Sequence, residues 1–242
     1  METEWFYNSF FELRKRNAAP RNWSSDLHPK SLDACRRPGR PRQLAINERE
    51  AIIIDAAERV ILSQGLGGAS MAAIAQEAGM SKRTLYEVFA CRAALFASVV
   101  RRIRNMVARP LTERELELPL SDRLRLLLTP ANGDFSDVLP MTILRAVIVE
   151  AERQPDLARE FLQEGPYALY GMIRLELDRS VSRGEIRISD TEAAARLMAD
   201  MVYENVLEHL VASQPACGRQ QAYDRRLDLA IRVFVGGIGD AA

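Results

Sequence analysis

Apolar residues recur at steps of three and four along most of the chain after residue 46, which is the spacing of one face of an α-helix. Asn47 is suited to cap a first long helix, and Glu50 stands three residues on, as in a capping box. The glycines at positions 65, 67 and 68 predict the end of this helix. Its predicted buried stripe consists of Ile53, Ala56, Ala57, Val60 and Ile61.

Two shorter amphipathic segments follow, and a tight turn separates them. Ser70 and Ser81 each stand where a helix N-cap is expected. Gly79 lies between them, at the place where a helix commonly ends in a left-handed residue. Leu85 and Phe89 would hold the second helix against the core. The apolar face of the first helix consists of Met71, Ile74, Ala75 and Ala78. The pattern predicts a helix–turn–helix over residues 70–89.

The rest of the chain also reads as helical. A fourth helix is expected over residues 92–107, and no segment shows the alternation typical of a strand. Turn residues then separate five more predicted helices, at 120–128, 136–153, 156–182, 189–212 and 219–237. We therefore expect an all-α fold, with a three-helix head that contains the helix–turn–helix and a helical C-terminal domain. The expected domains are a flexible extension (1–46), the head (47–107) and the C-terminal domain (108–242).

The charges are unevenly distributed, although the net charge is zero. Residues 1–104 contain 17 Lys and Arg against 11 Asp and Glu, whereas residues 105–242 contain 16 against 22. A basic first part suits contact with a polyanion, and an acidic second part suits a solvated body. The charge distribution therefore favours a nucleic-acid-binding head.

The second short helix has the side chains that such a head would use. Lys82, Arg83 and Tyr86 cluster on a face next to the one defined by Leu85 and Phe89. A recognition helix enters the DNA major groove with such a polar face. The alternative is a structural helical hairpin with a chance basic patch.

The run IAQEAGMSKRTLYEVF (74–89), with the alanine-rich helix before it and Arg92 and Leu95 after it, resembles the DNA-binding domain of TetR-family regulators. The resemblance covers roughly residues 36–104. It implies a homodimer whose C-terminal domain binds a small effector and thereby controls DNA affinity. Two residues depart from the family pattern: Val88 replaces a usual histidine, and Glu87 adds a negative charge. The residues it assigns to DNA are Ser70, Lys82, Arg83, Thr84, Tyr86 and Arg92, with Ser70 and Arg92 on phosphates.

A proline-rich basic segment, RRPGRPR (36–42), precedes the head. Its prolines and glycine favour an extended ribbon, and its arginines suit a narrow A·T-rich minor groove. Arg40 and Arg42 are the expected contacts, while a solvated basic linker is the alternative. Residues 1–35 combine aromatic and basic residues and could touch nucleic acid or a membrane surface, but a mobile tail is the simpler interpretation.

The C-terminal domain contains bulky, adaptable apolar side chains that could line a ligand pocket. The same residues could equally fill a helical core. The candidate pocket residues are Phe135, Met141, Phe161, Tyr167, Tyr170, Met172, Met198 and Tyr203. His209 lies near Glu204 and Glu208, but this set lacks a further ligand, and we expect neither a metal site nor a cofactor.

Other classes of protein find little support in the sequence. The chain has no Gly-rich phosphate loop, HExxH or GxSxG motif, and its only histidines are His28 and His209. Three widely spaced cysteines fit a reducing compartment, and no apolar run reaches the ~18 residues of a membrane span. Glu2 and Glu4 stand where a signal peptide would be basic, so a cytoplasmic protein without membrane contact is expected.

The leading hypothesis is a ligand-responsive transcriptional regulator, most simply a homodimeric repressor. It would bind double-stranded DNA at a palindromic operator and be released by a small apolar effector. One recognition helix reads few base pairs, so two-fold symmetry is needed for specificity. The alternatives are an architectural DNA-binding protein without an effector and, with less support, an enzyme.

Overall fold

The computed structural model describes residues 45–130, 138–203, 210 and 219–239, and helices are its only regular elements within these ranges. A 3₁₀ turn lies at Glu115–Glu117, and a π-helical turn lies at Gln163–Tyr167. The described helices are α1 (Ile46–Gly68), α2 (Met71–Glu77), α3 (Lys82–Val88), α4 (Arg92–Val107), α5 (Leu120–Leu128), α6 (Val138–Glu150), α7 (Pro155–Leu162), α8 (Ala168–Ser182), α9 (Thr191–Val202) and α10 (Arg219–Gly239). The all-α prediction is confirmed. Within the described ranges, no helix combines the length and the apolarity that crossing a bilayer requires.

The start of α1 differs from the prediction. Ala45 is the N-cap, and its N–H donates to the Glu48 carboxylate at 3.0 Å. Asn47 therefore lies inside the first turn, and Glu48 takes the place predicted for Glu50. At the other end Gly65 adopts a φ of 71°, which interrupts the helical path in the predicted glycine cluster.

A first hydrophobic core lies among α1 to α4. The predicted stripe of α1 is buried throughout, as are Leu85 of α3 and Phe89 just after it. Three residues from later in the chain complete this core: Ile143 and Val147 of α6, and Leu157 of α7. The helices of the head therefore share their core with two helices of the C-terminal half.

A second core lies among α5, α8, α9 and α10. Its fully buried residues include Leu124, Leu128, Ile173, Leu177 and Met198. The predicted helix 156–182 is divided here, because a π-helical turn separates α7 from α8. Pro166 lies within that turn and has no N–H to donate, so the regular helical hydrogen-bond pattern cannot run through it.

The remaining predicted helix boundaries agree to different degrees. Helix α5 and helix α4 have the predicted ends. Helix α6 ends at Glu150, three residues before the predicted position 153, and α10 extends two residues beyond position 237. Helix α9 ends at Val202, and most of the remainder of the predicted helix 189–212 lies outside the described residues.

A buried arginine stands at the edge of the second core. Arg123 of α5 is 0% exposed, and its Nε lies 3.4 Å from Glu176 Oε2. Its guanidinium donates to Glu185 Oε2 at 2.7 Å, to the Leu116 carbonyl at 3.2 Å and to the Ser180 hydroxyl. These bonds tie α5 to α8 and to the segments before α5 and after α8. Buried charges of this kind need their partners, since an isolated one is costly.

Replacing Arg123 with Leu should lower the free energy of unfolding by about 3–5 kcal/mol, because Glu176 would remain buried without this partner. Arg125→Leu is the matched control. Arg125 lies on the same helix and pairs with Asp228 at the surface, so its loss should cost no more than about 1 kcal/mol. Urea unfolding of both variants tests this difference, and equal losses would contradict it.

Candidate nucleic-acid interface

Two serine caps define the helix–turn–helix, as predicted. The Ser70 hydroxyl accepts a hydrogen bond from the Ala73 N–H at 3.2 Å. The Ser81 hydroxyl accepts one from the Thr84 N–H at 3.0 Å. Each bond satisfies an amide that the first turn of a helix leaves without a helical partner. The sequence therefore fixes where α2 and α3 begin.

The turn between the two helices depends on Gly79. This residue has a φ of 64°, the left-handed conformation predicted for it. Its N–H donates to the Gln76 carbonyl at 3.1 Å, and the Met80 N–H donates to the Ala75 carbonyl at 2.9 Å. This pair of bonds is a Schellman motif, which closes α2 and directs the chain into α3.

Helix α3 has a buried face and an outward face. Leu85 is fully buried against the first core. Lys82, Arg83 and Tyr86 point outward, and the Tyr86 side chain is 52% exposed. Thr84 is half-buried, with its Oγ1 2.9 Å from the Ser81 hydroxyl. Three of the residues predicted to contact DNA thus lie together on the outward face, and Thr84 lies closer to the protein.

An acidic residue lies among the cations of α3. Glu87 Oε1 accepts a hydrogen bond from Arg83 Nε at 3.2 Å. Its other oxygen, Oε2, lies 3.8 Å from Arg49 Nη1 of α1. The added negative charge noted in the sequence is therefore paired with two arginines. The spacing of residues along the sequence gives no signal for the link to Arg49, because the two residues are 38 positions apart.

Arg92 is turned toward the protein. Its guanidinium donates to the Leu66 carbonyl at the end of α1, and to Gln154 Oε1, the N-cap of α7, at 2.5 Å. Gln154 Nε2 in turn donates to Glu150 Oε2 at 2.9 Å. Burial lowers the pKa of Arg92, and the nearby Glu150 opposes that shift. In this structure the Arg92 side chain links α1, α4 and α7. Its contact with a phosphate stays a prediction.

The other arginines of α4 are ion-paired. Arg101 makes a bidentate contact with Glu164 in the π-helical turn, at 2.8 and 3.0 Å, and Arg104 donates to the Glu164 carbonyl at 3.0 Å. The hydrogen bond from Arg101 lowers the pKa of Glu164. Arg102 pairs with Asp55 at 2.5 Å. Helix α4 is thus joined by ion pairs both to α1 and to the turn before α8.

The predicted pocket residues do not form one group. Phe161 packs against the first core, whereas Met198 lies fully buried in the second core, with Met172, Tyr170 and Tyr203 against it. Met141 is half-buried on α6, and Tyr167 is exposed. The spacing of bulky residues could not distinguish the two cores, because both are helical.

Two aromatic pairs form among the described residues of the C-terminal half. Tyr167 and Tyr170 lie 6.4 Å apart between ring centres, and the Arg196 guanidinium stands over both rings, at 5.8 and 5.1 Å. Tyr203 and Tyr223 lie 6.1 Å apart, and burial raises the pKa of both hydroxyls. The Tyr223 hydroxyl donates to the Leu128 carbonyl at 2.7 Å.

Several predicted site residues lie outside the described part of the chain. These are Arg40 and Arg42 of the basic segment and Phe135 of the pocket set; the His209 group, where no metal site was expected, also lies outside it. Among the described residues, no cluster of His, Cys, Asp and Glu is arranged to hold a metal ion. Cys91 is exposed and serves as the N-cap of α4, where its Sγ accepts from the Ala94 N–H at 3.5 Å.

Comparison with known families matches both halves of the chain. Residues 53–99 match the family described as bacterial regulatory proteins, tetR family. Residues 136–237 match the AefR-like transcriptional repressor C-terminal domain. The chain belongs to the TetR family of transcriptional regulators. Members of this family bind DNA and are not enzymes, so the enzyme alternative is set aside.

Solved structures agree with this assignment. The flavonoid-responsive regulator FrrA is 25% identical, with a TM-score of 0.56, over 81% of this chain and 100% of that chain. A TetR regulator from Agrobacterium tumefaciens is 21% identical, with a TM-score of 0.56, over 79% and 94%. A TetR-family regulator from Pseudomonas syringae pv. tomato is 24% identical, with a TM-score of 0.52, over 81% and 98%. No curated protein matches the chain.

Gly79→Ala should lower the free energy of unfolding by about 1–2 kcal/mol, because a left-handed backbone disfavours a side chain. Nothing lies within 4 Å of the added methyl, so the cost would come from the backbone alone. Gly171 of α8 is the control: it also has open space, but in a helix. Gly171→Ala should instead raise stability by about 0.5–1 kcal/mol. Thermal and urea unfolding measure both changes, and shifts of the same sign would contradict this account.

Proposed function

We propose that this regulator is a homodimeric repressor that binds a palindromic operator through α3 and leaves it when a small effector binds. The observation that carries the proposal is the outward face of α3, where Lys82, Arg83 and Tyr86 stand together over a buried Leu85. Repression takes its support from the match to the AefR-like repressor domain. In this proposal residues 47–107 are the DNA-binding head and residues 108–242 the regulatory domain.

The DNA contacts divide into base reading and backbone contact. Lys82 and Arg83 can donate to guanine acceptors or to phosphates, and Tyr86 extends the same face. The Ser70 hydroxyl can donate to a phosphate while it accepts from Ala73. At α4 the backbone amides of the helix start can donate to the phosphate predicted for Arg92, whose side chain bonds within the protein in this structure. Arg40 and Arg42 remain our proposed minor-groove contacts.

A second copy of the chain is the proposed partner of α10. Leu229 and Val233 are 54% and 55% exposed, four residues apart on one face of this helix. Gly236 continues that face and is also exposed, which would let another helix approach closely. By contrast, Ile231 and Phe234 are buried within the second core. The dimer surface on α10 therefore centres on Leu229 and Val233.

The effector is proposed to bind in the regulatory domain and to act through α4. FrrA is by its name flavonoid-responsive, so flat polyphenols are the first class of ligand to try. Movement of α7 or of the π-helical turn would reach α4 directly. Arg92 bonds to the N-cap of α7, and Arg101 and Arg104 bond to Glu164 of the turn. Helix α4 in turn packs on α1 of the head.

The test of DNA recognition starts with selection of bound sequences from a random DNA pool, repeated with a panel of flavonoids. Lys82→Ala/Tyr86→Ala should weaken binding to the selected operator by about 2–6 kcal/mol, at ~1–3 kcal/mol per good base contact. Arg159→Ala removes an exposed cation from α7 and should leave affinity unchanged. Fluorescence anisotropy measures both. Unchanged operator affinity in the double variant would exclude α3 as the reading helix.

The dimer surface makes a separate prediction. Leu229→Glu/Val233→Glu should convert the dimer to a monomer, because like charges would face each other across the two-fold axis. Leu175→Glu places a charge on a still more exposed position, in α8, and should leave the dimer intact. Sedimentation velocity distinguishes the two species. A dimeric double variant would require another interface.

A further inference from the structure

The recognition helix contains one acid, and its position is unexpected on a DNA-facing surface. Glu87 is half exposed on α3, on the same helix as Lys82 and Arg83. A carboxylate facing the phosphate backbone is repelled by it and weakens binding to DNA of any sequence. Because Glu87 weakens DNA binding in this way, we expect it to have another role that offsets the loss.

We propose that Glu87 is a positioning residue that aims Arg83 at one base pair and thereby determines specificity there. This inference rests on the proposed reading of DNA by α3. It goes further in assigning a role to a residue that does not itself touch the base.

The geometry forms a chain of three residues from α1 to the outward face of α3. Arg49 has a largely buried side chain, 18% exposed, and its Nη1 lies 3.8 Å from Glu87 Oε2. The other oxygen of Glu87 accepts a hydrogen bond from Arg83 Nε at 3.2 Å. The Arg83 side chain is 90% exposed, so packing does little to fix its direction. Arg49 therefore holds the Glu87 carboxylate from one side, and the carboxylate holds Arg83 on the other.

Glu87 occupies one N–H donor of Arg83, and this determines which Arg83 donors are left for DNA. A guanidinium has five N–H donors, one on Nε and two on each terminal nitrogen. When Nε donates to Glu87, the two terminal nitrogens remain and can donate in parallel to O6 and N7 of guanine. Without this restraint the arginine would leave the guanine and bond to phosphates instead. Phosphate contacts carry no sequence information.

The pair should matter more on DNA than in free solution. An exposed ion pair is weak in water, where solvent screens both charges. A protein–DNA interface excludes part of that water, and the same contact then becomes stronger. The two oxygens of Glu87 are both directed to arginines, which disfavours direct acceptance from a cytosine amino group.

The experiment measures discrimination between base pairs rather than affinity alone. The position read by Arg83 is first identified as the operator base pair whose preference disappears in Arg83→Ala. In Glu87→Ala, discrimination at that pair should fall at least about five-fold, since a bidentate contact supplies about 5–150-fold. Binding to unrelated DNA should strengthen, because a negative charge is gone. Glu87→Gln keeps an acceptor oxygen and should retain part of the discrimination.

Glu77→Ala is the matched control. Glu77 lies on α2 of the same head and pairs with Arg59 at 2.6 Å, so its loss changes the charge by the same amount. It should strengthen binding to unrelated DNA and leave discrimination at every position unchanged. Circular dichroism melting confirms that each variant is folded.

The double variant Arg83→Ala/Glu87→Ala separates positioning from direct reading. If Glu87 acts only through Arg83, the double variant discriminates at every other operator position as well as Arg83→Ala does. Lost discrimination at a base pair that Arg83→Ala leaves unaffected would mean that Glu87 reads a base itself, and would overturn the proposal. Undiminished discrimination in Glu87→Ala alone would overturn it too. If the wild type selects no sequence at all, the failure lies instead with the proposed DNA recognition.

Discussion

The head of this protein depends on apolar contacts that it does not supply itself. Helices α1 to α4 leave part of their core open, and Ile143, Val147 and Leu157 of α6 and α7 complete it. Burial of these side chains is worth ~1.5–3 kcal/mol each, a large fraction of the stability of a small helical unit. Helix α3, through Leu85, is therefore stabilised by residues from the C-terminal half. A change in α6 or α7 cannot leave the head unaffected.

Polar contacts add direction to this apolar attachment. The Arg92 guanidinium bonds to the end of α1 and to the cap of α7, so it fixes the angle at which these helices meet. Arg101 and Arg104 do the same for α4 and the π-helical turn. Hydrophobic burial is non-directional, whereas these charged bonds accept only a narrow geometry. Together they make α4 the element through which a movement of the C-terminal helices would reach the head.

The sequence predicted most of what is local. The caps at Ser70 and Ser81, the turn at Gly79 and the buried stripe of α1 follow from interactions within four residues or from helical periodicity. What it missed depends on residues distant in the chain. The direction of the Arg92 side chain is set by Gln154, 62 positions away, and local spacing gives no signal for it. The start of α1 was predicted at the wrong residue for a different reason. Both Ala45 and Asn47 have an acid three residues on, but it is Glu48 that accepts the hydrogen bond, from the Ala45 N–H.

The π-helical turn at Gln163–Tyr167 changes which way two helices face. Leu157 of α7 lies in the first core, whereas Leu169 and Ile173 of α8 lie in the second. An α-helix turns by about 100° per residue, and a wider π-turn offsets the two buried faces by roughly that angle. One nearly continuous helical segment can thus bury the apolar face of α7 in the first core and that of α8 in the second. A regular helix would orient these two faces differently. The fold therefore depends on the number of residues between 162 and 168 and not only on their identity. One residue more or fewer would rotate one buried face away from its core.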